Sequence, residues 1–256
     1  MSFFDFAAVL GALAWIPPIG KWLYQLVTKP VVTMIPSRDA EVGYTTYGPI
    51  LNLSYAFTSK HKDIIIDNIT LKVQHAEGDT HIFQWTGLNE TFSEITDSYG
   101  NKQVVSKDRN PIALKVGVGS LTEIFIRFQE ESYRKAHNQL LSALLAKINH
   151  LRNIDPVGFI ESVFLSSEYL KLKNHYKNSF WWRVGKYTVT IKLESTSKHQ
   201  LQSNAFSFEL LDLEVSQLRD NVETASSFLD EHIQSYQPGY DQQTYHWNWA
   251  NISVEY

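Results

Sequence analysis

From Val31 onward, apolar residues recur at every second position. Leu51, Leu53, Tyr55 and Phe57 share one side while Asn52, Ser54 and Ala56 share the other, which is the period of a half-buried strand. Ile69, Leu71 and Val73 continue the pattern. A turn over Ala76–Asp79 follows, with Gly78 for its positive φ, and Phe83 and Trp85 resume the alternation. Ile112, Leu114, Val116 and Val118 alternate next, then Ile124, Ile126 and Phe128 after Gly119-Ser120. At Tyr133 the period lengthens. Tyr133, Ala136, Leu140, Leu141, Leu144, Ile148 and Leu151 form a helical stripe, with Arg134, Lys135, Gln139, Lys147 and Arg152 largely elsewhere. Asp155-Pro156 predicts a second, broken helix to about Asn178, with Asp as cap and Pro in the first turn.

Strands return after Phe180-Trp181-Trp182. Tyr187, Val189, Ile191 and Leu193 oppose Thr188, Thr190, Lys192 and Glu194, and Phe206, Phe208 and Leu210 supply a neighbour. A helix from about Leu213, capped by Asp212, stops at Gln237-Pro238-Gly239. The tail carries Tyr245, Trp247 and Trp249 at one parity and Ile252, Val254 and Tyr256 at the other, predicting a final strand with a bulge near Asn251. These elements predict a mainly β, α+β chain: an antiparallel β-sandwich over residues 29–256 with a helical insertion at about 130–180. A tandem pair of sandwiches split near the insertion is the alternative. The stretch RVGKYTVTIKLES, a strand following a glycine turn, resembles strands of immunoglobulin-like or arrestin-like sandwiches. The resemblance covers about a dozen residues and implies a fold, not an activity.

Residues 1–28 follow a different pattern. FDFAAVLGALAWIPPIGKWLYQLV is the most apolar stretch of the chain, and only Asp5 precedes its core, so the basic leader of a cleaved signal peptide is missing. Phe6 to Gly20 would make a helix of about 22 Å, short of the roughly 30 Å of a bilayer interior. Pro17 and Pro18 predict a break, giving a pair of apolar helices. The first, Phe3 to Ile16, is apolar on every face. In the second, Ile19, Trp22, Leu23, Leu26 and Val27 oppose Gly20, Lys21, Gln25 and Thr28, with Trp15, Trp22 and Tyr24 where interfacial aromatics sit. Phe3, Phe4, Phe6, Leu10, Leu13, Trp15, Trp22, Leu23 and Leu26 are therefore the expected contacts with a membrane surface or a protein partner.

Composition narrows the function classes. With 43% hydrophobic and 20% charged residues the chain has the means for a packed core. The net charge of −4 with interspersed signs gives no footprint for nucleic acid. The absence of Cys excludes disulfides, thiolate metal sites and cysteine nucleophiles, and points to a cytoplasmic setting, here the inner face of a membrane. No phosphate loop, dinucleotide fingerprint, Gly-x-Ser-x-Gly elbow or His-Glu-x-x-His helix is present, and no cofactor is expected.

Two groups carry candidate chemistry. His75 and His81 flank a short turn holding Glu77 and Asp79, and two imidazoles with a carboxylate could hold zinc. Trp181, Trp182, Trp247 and Trp249 could form an aromatic platform for a sugar or a peptide. Alternating aromatics more often fill a core, and a turn at a sheet rim is where solvated His, Glu and Asp belong. The expected function is a non-enzymatic, membrane-associated adaptor. The alternatives are a hydrolase or metal-dependent enzyme with a site near His75 and His81, and a carbohydrate- or peptide-binding domain.

Overall fold

Among the described residues, β-branched and aromatic residues at alternate positions produce eleven strands, all in one sheet. The computed structural model describes residues 15–96, 102–237, 239–241 and 243–256; for Lys21, Leu23, Gln25, Leu26, 89–96 and 102–109 it describes the backbone alone. After helix α1 (Ile16–Val27) come β1 (Val31–Thr45), β2 (Gly48–Lys60), β3 (Ile64–His75), β4 (Thr80–Thr96), β5 (Lys102–Arg109), β6 (Leu114–Val116) and β7 (Thr122–Glu130). Helices α2 (Glu131–Ile154), α3 (Phe159–Phe164) and α4 (Ser167–Asn178) follow. The chain then makes β8 (Gly185–Ser195), β9 (Gln200–Gln202), β10 (Ala205–Leu210), helix α5 (Asp212–Gln234) and β11 (Trp249–Ser253).

The sheet runs β10-β8-β3-β4-β7-β2-β1-β11, with β5, β6 and β9 paired to β4, β3 and β1. Every pairing is antiparallel except β1 with β9, so the sheet is mixed. Ser207 in β10 and Glu255 beyond β11 exchange two backbone hydrogen bonds of 2.8 Å. The first and last strands of that order therefore touch, and the sheet curls into a half-barrel rather than the two separately bonded layers of the expected sandwich. With 41% strand against 34% helix, the chain is β-dominated, as the alternation predicts.

Local chemistry explains where other expectations shift. Pro17 and Pro18 occupy the first turn of α1, where their missing N–H groups would be unpaired anyway, so α1 accommodates both, and the expected break from a preceding helix falls on residues outside those described. The expected helix over residues 3–14 lies outside the described residues. Asp155 does not open a helix: its Oδ1 accepts from the N–H groups of Val157 and Gly158, making a turn after α2, and α3 begins at Phe159. Asp212 lies inside α5, whose first turn is closed by Glu214 accepting from the Leu211 N–H at 2.7 Å. The final strand has no bulge. Its register with β1 is regular from Gly43↔Trp249 to Asp39↔Ser253, and the irregularity falls in β1 between Pro36 and Ala40. The parity switch in the tail has another origin. Tyr245 and Trp247 precede β11 and pack on Phe228 of α5, while Ala250, Ile252 and Val254 face the sheet interior.

Inward side chains of the strands and the buried stripes of α2–α5 form one continuous core. The sheet has two unlike ends. At one, the β1–β2 turn, the β3–β4 turn, the β7–α2 junction and the start of β8 meet the helices. At the other lie α1, residues 61–63, residues 110–121 and the 196–199 connection into β9.

Candidate functional site

At the helical end, buried rings and histidines converge from distant parts of the chain. Glu130, 5% exposed, ends β7 and caps α2: its carboxylate accepts from the Ser132 N–H, the Ser132 hydroxyl and the Tyr133 N–H. Burial pushes its pKa up. Hydrogen bonds from His81, Ser132 and the Tyr133 N–H outweigh that and hold it below the ordinary value. His81 places Nδ1 3.5 Å from Glu130 Oε1 and stacks on Trp181 at 4.0 Å. Tyr133 lies 4.4 Å from His175 and stacks on His137, whose Nε2 is 3.3 Å from the Tyr176 hydroxyl. The Tyr44 hydroxyl donates to the Tyr176 carbonyl at 2.5 Å. Burial drives the phenols of Tyr44, Tyr133 and Tyr176 well above their usual pKa and holds the imidazoles of His137 and His175 below theirs, so these five rings are uncharged at neutral pH.

This arrangement packs more than it reacts. His175 Nδ1 and the Ser179 hydroxyl are 3.1 Å apart, the spacing of a nucleophile and its base, yet both belong to the last turn of α4. The other ring nitrogen, Nε2, is buried and meets no acceptor that would orient it among the described residues.

The predicted metal pair is placed separately. The register sets His81 opposite Val73, and His75 faces Asp79 through backbone bonds. His75 is buried, with Nε2 3.1 Å from the Val184 carbonyl and Nδ1 accepting from the Glu77 N–H. Each ring thus has its own partners. Among the described residues no group of three His, Cys, Asp or Glu is arranged to hold a metal.

The predicted aromatic platform is built into the core. Trp182 is 0% exposed, donates its indole N–H to the Gly43 carbonyl at 3.0 Å and stacks on Trp181. Trp249 lies across Gly43 so closely that a Cβ there would enter its ring. Trp247 packs on Phe228. Trp182 and Trp249 meet at Gly43, and Trp181, Trp247 and Trp249 are each partly buried.

The opposite end is different in kind. α1 is tied to the sheet by the Tyr24 hydroxyl and His61 Nδ1, 2.8 Å apart, and closed by the Thr28 N–H and hydroxyl donating to the Tyr24 carbonyl. Trp22 is 60% and Val27 81% exposed, and Trp15, Ile16, Ile19 and Tyr24 are exposed with them. Leu23 and Leu26 lie in the same helix, while Phe3, Phe4, Phe6, Leu10 and Leu13 lie outside the described residues. Every described large apolar side chain of α1 therefore faces solvent, and a helix of 12 residues is marginal in water without a surface to lie on. Among the described residues no helix is long and apolar enough to cross a membrane.

A third feature is an open cleft of about 890 Å³ beside the sheet seam, lined by Met34, Pro36 and Arg38 of β1, Ala205 of β10, and Val254 and Tyr256. It lies where β1 passes from β9 to β11, and the Tyr256 hydroxyl donates to the Ser37 carbonyl across it. Pro36, which has no N–H to offer, stands on this stretch and blunts it against pairing.

The sequence signals for these sites are uneven. The exposed helix was legible from its aromatics and one-sided spacing. The Tyr44–Tyr133–Tyr176 cluster was not, and the available hint was Tyr133 and His137 one turn apart on a helix. Against known proteins, no family matches the chain, and no curated protein or solved structure is similar to it.

Proposed function

We propose that this is a non-enzymatic interaction protein attached to a membrane surface through α1 and the apolar residues before it, with the curled sheet and its helices held on the cytoplasmic side. The observation carrying this reading is the exposure of Trp15, Ile16, Ile19, Trp22, Tyr24 and Val27 on a helix that continues an apolar stretch. Left in water, each such side chain forgoes about 1.5–3 kcal/mol of burial. Lipid rather than an acidic protein suits the stretch because no carboxylate separates Asp5 from Asp39, whereas Lys21, Lys29 and Arg38 lie there. Residues 3–14, apolar apart from Asp5, form the inserted part and α1 the interfacial part in this reading, with Trp15, Trp22 and Tyr24 at headgroup level.

Flotation of the full chain with phosphatidylcholine vesicles tests it. The wild type is expected to float, and Ile19→Glu/Trp22→Glu to bind at least about tenfold more weakly with unchanged circular dichroism. A wild-type chain that stays monodisperse without detergent and remains below the vesicles overturns the proposal.

A further inference from the structure

We infer that the loop end of the sheet is itself a second membrane contact, selective for anionic lipid headgroups. This rests on the membrane reading of α1, and it adds a ligand class and an orientation that α1 alone does not supply.

The surface is assembled by pairing, not by sequence proximity. Val31 pairs with Lys60 on one side and Gln200 on the other, Ser59 is bridged to Val118, and Ile64 pairs with Val116. These registers set Lys198, Lys29, Lys60 to Lys62 and Lys115 to Leu121 side by side along one rim, about 14 Å wide at the spacing of neighbouring strands. Along it stand Lys29, Lys60, Lys62, Lys115 and Lys198, with the carboxylate of Asp63 beside them. The chain as a whole carries −4, so this rim is more basic than the molecule it belongs to.

Apolar side chains stand among these lysines. Leu121 is 57% and Val118 51% exposed. Their exposure is built in. Asp63 Oδ1 accepts from the Val118 N–H at 2.9 Å, the Gly119 N–H donates to the Ser59 carbonyl at 3.1 Å, and the Ser120 hydroxyl donates to the Gly117 carbonyl at 3.0 Å. Gly119 takes φ +70°, which lets the chain turn back there. Asp63 also pairs with Lys115 at 3.4 Å, while Lys60, Lys62 and Lys198 pair with no described carboxylate. A rigid loop presenting aliphatic tips between unneutralised lysines matches the boundary of an anionic leaflet, where tips enter the acyl region and ammonium groups meet phosphate.

Co-sedimentation at low salt with vesicles of phosphatidylcholine, alone or with phosphatidylserine added, tests this on the full chain. The wild type is expected to bind the anionic vesicles at least about tenfold more tightly, a preference that shrinks as salt rises. Lys60→Glu/Lys62→Glu/Lys198→Glu should abolish the preference while retaining binding to neutral vesicles through α1. Val118→Ser/Leu121→Ser should weaken binding to both vesicle types several-fold and leave their ratio unchanged. Equal wild-type binding to both vesicle types overturns this inference and leaves the α1 reading standing. Binding to neither overturns both. An unchanged preference in the lysine variant, with its fold verified by circular dichroism, also overturns the inference.

Discussion

The two ends of the curled sheet solve the same problem in opposite ways. At the helical end, α2, α4 and α5 cover the strand termini, Trp182 is fully enclosed, and each of Tyr44, Tyr133 and Trp182 finds a backbone carbonyl for its polar atom. At the loop end, apolar side chains of α1 and of residues 112–121 stay in solvent, and the turns are fixed by hydrogen bonds among themselves. In the proposed reading, the second arrangement, apolar side chains exposed beside lysines without carboxylate partners, is the side that meets lipid.

Glycines offer the sharpest way to break that contrast. Gly48 has φ +79°, and a Cβ there would penetrate the Tyr133 ring, so Gly48→Ala combines left-handed strain with overpacking at the helical end. Chemical denaturation is expected to show a loss of about 3 kcal/mol. Next in size is the buried amide of Asn221 in α5, which donates to the Asn248 carbonyl and accepts from the Asn248 N–H, pinning the segment before β11. Asn221→Ala leaves both backbone groups to partial hydration and should cost about 2 kcal/mol in the same assay.

Glu130→Gln removes the charge from the α2 cap, with an expected cost of about 1–2 kcal/mol. The wild-type pH profile should show the same group. Because the folded state holds Glu130 below its ordinary 4.5, its stabilisation is present above that pH and is lost as pH falls through the lower folded value. His137 and His175 act at higher pH. Folding favours their neutral rings, so stability falls as pH drops below about 6.5. Thermal melts from pH 7 to 5 should slope downward for the wild type, less steeply for His137→Gln, and as in the wild type for Lys60→Glu at the other end. A flat wild-type profile would remove the titrating cluster from the comparison.

The smallest effect belongs to Gly20 in α1, where a Cβ meets nothing within 4 Å. Gly20→Ala favours the helix by up to about 1 kcal/mol locally. Since α1 is outside the core, global unfolding should change by less than about 0.5 kcal/mol. A large shift of the global melting temperature would mean that α1 is packed after all.

What could be read from the sequence was the face each residue takes. The alternation in Tyr187–Leu193 and the stripe from Tyr133 to Leu151 follow local rules, and both elements stand where those rules put them. A period of two cannot say which strand lies alongside, because every inward-facing strand looks alike from its own sequence. The sandwich expectation gave way to a single sheet for that reason: Ser207 and Glu255, which bring its two edges together, carry no local sign of pairing. The prolines of α1 show the same limit on a small scale. Pro17 and Pro18 can interrupt a helix or begin one, and only where the helical hydrogen bonds start decides between the two. The tryptophan group was legible as core or platform, and Trp182 takes the core place while Trp181, Trp247 and Trp249 are partly buried.

β1 is synthesised before the other described strands, yet Asp39 to Gly43 find their outer neighbour only in Ser253 to Trp249, more than 200 residues later. While the chain is being made, that edge has no native strand to pair with. Contacts of such sequence separation form late, so the interval is one in which β1 could pair with another nascent copy. Pro36, in the stretch of β1 between the parts that β9 and β11 cover, reads in this light as a guard during biosynthesis, withholding an N–H from any strand that arrives before the right one.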